Sequence, residues 1–350
     1  MKPVTLRLLS QELISPQFTS AHDVVAHFGF MQAQDYRAMR WAVGMRTKKP
    51  SLKAFEKEFD EGRIIRTHLF RNTWQLIAAE DYWWMVDLCS AKARSGIRNW
   101  GKGAGITISE NEEERFRTFL SATFPGRRSV SRDEIIDLAF DSGTSTDKEK
   151  TKLQISLAEV SGIICSGETD GGNRTYALSA ERIPAQRTKT KEESLAELAR
   201  RYFRSHAPAS LEDFVWWTGL NIGDCKKGIG YLGDELVRKD WKGQTFYIHT
   251  GCRTKGNRPG AIRLLPAYDE YLIGYKSRHI ALHPDHRHHA HDQKGIFWPV
   301  ILQDGEVVGN WTANGGKITT STFHENHELD QTKLQEEIRR YQTFQAERTQ

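Results

Sequence analysis

Apolar residues recur along this chain with two periods. Stretches with helical spacing give way to short runs of period two, and turn residues separate them. Three segments share one order: a capped helix, a second helix, then two strands. The middle one is clearest. Ser131 caps SRDEIIDLAF with Glu134 at the capping-box position, and a second helix is predicted from Lys150 to Val160. GIICSGETDGGNRTYALS then reads as strand, glycine-rich turn, strand. In the third segment Ser210 caps SLEDFVWWTGL with Asp213 in the first turn, and NIGDCKKGIGYLG is the second helix. Its strands, ELVRKDW and QTFYIHT, flank the turn Lys242-Gly243. The first segment is looser: helices in SAHDVVAHFGF, DYRAMRWAVGMR and SLKAFEKEFDEG precede the strands IIRTHLF and NTWQLIA. A helix–helix–hairpin of this size is the winged-helix variant of helix-turn-helix.

After Arg253 the texture changes. AIRLLPAYDEYLIGYKSRH and GIFWPVILQDGEVVGNWT read as strand-rich, with Asp304-Gly305 as a hairpin turn. LDQTKLQEEIRRYQTFQAER reads as a charged amphipathic helix. The predicted fold class is α+β. Winged-helix units occupy 1–108, 109–185 and 186–258, and a β-rich domain with a terminal helix occupies 259–350.

Composition narrows the setting. A chain of 350 residues, 38% hydrophobic and 27% charged, suits several compact units and not a disordered polymer. It holds no run long and apolar enough for a membrane span. Arg7 and Gln11 interrupt MKPVTLRLLSQELIS, so a signal peptide is not expected. Cys89, Cys165, Cys225 and Cys252 are far apart, with no CxxC spacing, which fits a reduced, cytoplasmic protein. A net charge of +5 permits a nucleic-acid partner without demanding one.

The candidate chemistry is sparse. No phosphate-binding GxGxxG or GxxxxGK[ST] is present, and no GxSxG nucleophile elbow. HPDHRHHAHD carries His283, His286, His288, His289 and His291, but it lacks HExxH and a carboxylate at fixed offset, so a solvated loop without metal is expected. Alternation across RTHLFRNTW places Arg66, His68, Phe70, Asn72 and Trp74 on one face. That face is either a solvated sheet surface or a groove where Arg66 takes a phosphate and Trp74 stacks. Gln32 and Gln34 flank Ala33 just ahead of a helix that Asp35 is expected to cap. On an extended approach both amides point to the same side. They either fix the helix entrance or converge on a water or a sugar. A carboxamide accepts and donates hydrogen bonds but is not a strong base.

QAQD at 32–35, RTHLFRNTWQLIAAED at 66–81, PASLEDFVWWTGL, LLPAYDEYLIGYKSR and DGEVVGNW follow one another over roughly residues 1 to 315. Together, and in this order, they resemble the AlkZ/YcaQ-like bacterial DNA glycosylases. Gln32-Ala33-Gln34 matches the form with two glutamines, the AlkZ-like branch. The resemblance implies tandem winged-helix units around a concave, positively charged DNA channel, with a β-rich C-terminal part. It implies hydrolysis of the N-glycosidic bond of alkylated purines, N7-alkylguanine and N3-alkyladenine, and in some members the unhooking of interstrand crosslinks. On that expectation Gln32 and Gln34 are catalytic. Arg37, Arg66, His68, Arg71, Asn72, Trp74, Tyr271, Tyr275 and Arg278 contact DNA. No metal or cofactor is required. The partner is double-stranded DNA with alkylated purines, met by a monomer in the cytoplasm, at the nucleoid and away from membranes. A purine alkylated at N7 or N3 carries positive charge and leaves readily, so a placed water and support for the sugar cation suffice. A monofunctional glycosylase, without a lysine Schiff base, is the consequence. The alternative is a non-catalytic winged-helix DNA-binding transcriptional regulator. It would need a basic recognition helix, and TKLQISLAEV offers only Lys152. A third reading is a metal-dependent hydrolase built on the histidine loop.

Overall fold

Side-chain caps set where the helices begin. In the computed structural model, which describes residues 1–347 apart from 172, 242, 325 and 326, the Glu134 N–H donates to Ser131 Oγ at 3.1 Å and starts helix Arg132–Asp141. The Glu134 carboxylate does not close the capping box; it accepts from Arg127 instead. Ser210 and Asp213 do close theirs, each backbone N–H donating to the other's side chain, at 3.1 and 3.2 Å. Ser20 caps helix Ala21–Phe28, and Asp147 caps Lys148–Val160. Lys242 of the third predicted turn and Arg348 of the predicted terminal helix lie outside the described residues.

The chain divides into two compact units. One is Met1–Phe55 with Leu195–Gln350, and the other is Glu56–Ser194. The segments expected from element order distribute unequally over this division. The segment 109–185 lies whole in the second unit, but 1–108 is cut at Phe55 and 186–258 at Ser194.

In the second unit, helices Glu110–Thr123, Arg132–Asp141 and Lys148–Val160 pack with a three-stranded antiparallel sheet. Thr175–Leu178 is its central strand, between Ile164–Ser166 and an unforeseen short strand, Val130–Ser131. Phe116, Leu120, Ile135, Ile155 and Ile164 form the core between them. The same unit holds the hairpin Ile64–His68 and Trp74–Ala78, and the long helix Tyr82–Gly103. The strands expected in IIRTHLF and NTWQLIA are both present, but the single alternation drawn across RTHLFRNTW does not hold. His68 pairs with Trp74 in register, and a turn intervenes in which Arg71 and Asn72 take φ of 57° and 54°. Phe70 is core, not face.

In the first unit, helices Leu211–Thr218 and Ile222–Leu232 precede the hairpin Leu236–Trp241 and Gln244–His249, as the pattern implies. The β-rich part is a four-stranded antiparallel sheet in the spatial order Lys317–Thr322, Glu306–Asn314, Val300–Gln303, Ile262–Leu265. Helix Gln331–Ala346 sets Leu334, Ile338 and Phe344 into its core. Asp304 and Gly305 both have positive φ, at 51° and 89°, and link Gln303 to Glu306 as a two-residue turn. One prediction fails here. The strand that begins AIRLL ends at Leu265, and Glu270–Ile273 is a helical turn capped by Asp269. A short apolar run does not by itself separate strand from helix.

Candidate active site

Gln32 closes the strand Phe30–Gln32, which leaves helix Ala21–Phe28 through Gly29 at φ 85°. Asp35 does act as a cap: its Oδ1 accepts the N–H groups of Arg37 and Ala38, each at 2.8 Å, ahead of helix Ala38–Gly44. Gln32 and Ala33 are buried, Gln34 is half-buried, and Asp35 and Arg37 are exposed. The segment thus runs from core to surface across the two glutamines. The Gln34 carboxamide oxygen is buried and has no hydrogen-bond partner among the described residues.

Behind the strand lies a buried polar frame. The backbone N–H of Gln32 donates to Glu270 Oε1 at 2.6 Å. Glu270 Oε2 lies 3.2 Å from Trp217 Nε1 and 3.3 Å from His206 Nε2. Trp217 stacks on Phe30, with ring centroids 3.6 Å apart and planes 7° apart. Beside Glu270, Asp269 accepts from both terminal nitrogens of Arg46 at 2.8 Å, and Arg46 donates onward to the Gln11 backbone and side-chain oxygens. Burial holds His206 below the usual histidine pKa, against the pull of Glu270, so its ring is neutral at pH 7. Sequence reading missed Glu270, His206 and Trp217. The adjacent acids Asp269 and Glu270, set between apolar and aromatic residues just ahead of YLI, were the available signal for Glu270.

The expected DNA contacts divide. Arg66, His68, Arg71, Asn72 and Trp74 are all on the hairpin of the second unit, whereas Arg37, Tyr271, Tyr275 and Arg278 are in the first. On the hairpin, the His68 and Trp74 rings are in contact, with centroids 3.9 Å apart and planes tilted by 33°. The Arg66 guanidinium carbon sits 4.6 Å from the Trp74 ring, and that of exposed Arg174, a residue not foreseen, sits 5.2 Å away. His68 Nδ1 is 2.8 Å from Glu159 Oε2. Arg66 and His68 are largely buried, so this is a supported cation–aromatic cluster and not a loose solvated face. Asn72 is exposed and lies against Gly96 of the long helix, where a Cβ would come 1.9 Å from its amide nitrogen.

Tyr271 and Tyr275 are corrected. Both are fully buried, and their hydroxyls donate to the carbonyls of Gly305 and His206, at 2.7 and 2.9 Å. The phenols are core posts with satisfied hydroxyls, and burial pushes both pKa values up. Arg278 is half-buried, donating to the Leu272 carbonyl at 2.9 Å, with its guanidinium carbon 5.5 Å from the Trp216 ring. Within TKLQISLAEV, most side chains face the core and Lys152 pairs with Glu149, which removes a basic reading face. Among the described residues no group of three or more His, Cys, Asp and Glu is placed to hold a metal, and no helix is long and apolar enough to cross a membrane.

DNA glycosylases are the class to which these features lead. The family described as "DNA glycosylase AlkZ-like" matches residues 25–344. The chain belongs to this AlkZ-like family and is an enzyme of the glycosylase class. An interstrand DNA cross-link repair glycosylase from Streptomyces sahachiroi is 25% identical over 321 residues, covering 89% of this chain and 86% of that protein. The solved structure of Streptomyces sahachiroi DNA glycosylase AlkZ aligns at a TM-score of 0.80 and 22% identity, over 98% of each chain, which establishes the likeness of fold.

Proposed function

We propose that this enzyme is a monofunctional DNA glycosylase that hydrolyses the N-glycosidic bond of N7-alkylguanine and N3-alkyladenine in duplex DNA, with Gln32 and Gln34 as its catalytic pair. The observation that carries the reading is the Gln34 carboxamide oxygen, buried and unpartnered among the described residues. A buried acceptor that finds no partner within the protein is one that a bound water or a substrate atom can complete. Its lone pairs can accept the O–H of an attacking water or face the positive sugar as the bond breaks. Gln32, with its backbone tied to Glu270, holds the other end of the pair.

No strong base is needed. The alkylated purine is cationic before the reaction and leaves as a neutral base, so the barrier falls mainly through orientation and electrostatic support. An unmodified purine leaves poorly and is spared by so mild a catalyst. The helix–helix–hairpin segments act as tandem winged-helix units on the DNA, and the Arg66, Trp74 and Arg174 cluster takes its backbone. The enzyme works as a monomer in the cytoplasm, at the nucleoid. Crosslinks joined through N7 of guanine leave by the same chemistry, and the cross-link repair glycosylase among its relatives supports including them.

The test is incubation of the protein with duplexes that each carry one defined N7- or N3-alkyl purine. Free alkylated base with an intact abasic strand is expected. No base release from any of them, under conditions where the DNA is bound, would overturn the reading.

A further inference from the structure

Two neighbouring acids on one helical turn are both buried, yet they serve different ends. Asp269 is neutralised by the bidentate Arg46 pair. Glu270, 1% exposed, turns its carboxylate to the glutamine strand: Oε1 to the Gln32 N–H, Oε2 to the indole and imidazole nitrogens. Burying a carboxylate costs several kcal/mol, so an apolar residue would serve packing alone better. Each partner of Glu270 is itself wedged. Trp217 is stacked on Phe30, and His206 is stacked on Tyr202 with centroids 4.5 Å apart. Gly274 leaves room for this arrangement, because a Cβ there would come 2.8 Å from the His206 ring.

We propose that Glu270 is a positioning residue for base excision: its carboxylate, held on one oxygen by Trp217 and His206, grips the Gln32 backbone N–H with the other and fixes the strand that presents both amides. This rests on the reading of Gln32 and Gln34 as the catalytic pair. Glu270 acts through Gln32 and does not touch the DNA. What it supplies is placement, and a displacement of about 1 Å at a reacting group costs on the order of 10²-fold in rate.

The test is single-turnover base release and DNA binding, measured on one duplex containing 7-methylguanine. Glu270→Ala and Glu270→Asp should each slow release by about 10²-fold, since the shorter acid keeps its charge but withdraws from the Gln32 N–H. Glu270→Gln keeps an accepting oxygen but sets its NH2 against the indole and imidazole, so a loss of only about 10-fold is expected. DNA affinity should stay within about 2-fold in all three, because the lesion's chemistry and not its capture is affected. Native rates in Glu270→Asp would overturn the proposal, as would Glu270→Gln being as slow as Glu270→Ala while Glu270→Asp is spared, a pattern that assigns the effect to charge. Should the Glu270 variants fail to fold, Trp217→Phe decides: it keeps an aromatic ring against Phe30, deletes one donor to Oε2, and should slow release by about 10-fold. A native rate there contradicts the proposal. Gln34→Ala, run alongside, separates the two levels. If it too is native, the glutamine reading has failed; if it is slow while the Glu270 and Trp217 variants are native, only the positioning role has failed.

Discussion

The histidine loop and the glutamine strand make an instructive pair. The loop from His283 to His291 is rich in groups that titrate and bind metals. Yet His283, His288 and His289 lie on the surface, half-buried His286 packs against Phe323 and exposed His324, and His291 is buried on Phe297, so the five rings do not converge. The strand carries two residues with no acid–base chemistry. It is nevertheless backed by a buried frame of Glu270, Asp269, Arg46, Gln11, His206 and Trp217 drawn from distant parts of the chain. Reactive side chains do not make a site by themselves. A site needs its groups held, and the holding is expensive in buried polar atoms.

The largest effect is expected at the glutamines. Gln32→Ala and Gln34→Ala should each lower release of 7-methylguanine by about 10²–10³-fold, the loss typical of a preorganised electrostatic group, with DNA binding nearly intact. If both variants release base at the native rate, the strand is no more a site than the loop is. Next comes the frame. Asp269→Ala leaves the Arg46 guanidinium buried without its carboxylate and should destabilise the fold by about 3–5 kcal/mol in denaturant unfolding. A change within error would mean that the strand is not held by this frame.

A smaller effect is expected on the second unit. Arg66→Ala, Arg71→Ala and Arg174→Ala should weaken DNA binding, and each should reduce the slope of log affinity against log salt by about 1. Unchanged slopes in all three would remove that cluster from the DNA interface. Stability should also depend on pH through the buried histidines. Burial lowers His27 from 6.5 to about 3, with its Nε2 2.9 Å from the Ser10 carbonyl, and lowers His206 in the same direction. The unfolded chain therefore binds more protons than the folded one between these values. The contribution is whole above pH 6.5 and is lost as pH falls toward 3. The unfolding midpoint should drop on acidification below pH 6.5, and His27→Gln, which keeps a donor for Ser10, should flatten that drop. The smallest effect belongs to the loop: His286→Ala with His289→Ala should leave base release within about 2-fold, since neither is part of a supported site.

Local signals carried much of the fold. Ser20, Ser131 and Ser210 start helices where their sequence context says they should, and Asp304-Gly305 turns the hairpin expected of it. Such features are read from a few neighbouring residues. The misread elements lacked them. Arg71 and Asn72 enter the left-handed region with no glycine to mark the turn, so the alternation drawn across RTHLFRNTW ran straight through it, even though IIRTHLF and NTWQLIA are the two strands expected. YDEYLIGY has aromatics at spacings that fit either period, and its tyrosines looked available when they were core. The glutamine pair was legible as a motif, but its frame was not. Glu270 meets Gln32 across 238 positions of sequence, and Arg46 meets Asp269 across 223. No local pattern encodes pairings of that span, nor a first unit assembled from both ends of the chain.

The most direct measurement is the pH dependence of single-turnover base release from a 7-methylguanine duplex between about pH 6.5 and 9, with the enzyme saturating. Carboxamides do not titrate in this range, so a flat profile is expected if Gln32 and Gln34 carry the reaction. A step or bell between those limits, lost when a histidine of the 283–291 loop is replaced, would contradict it and hand the chemistry to the loop.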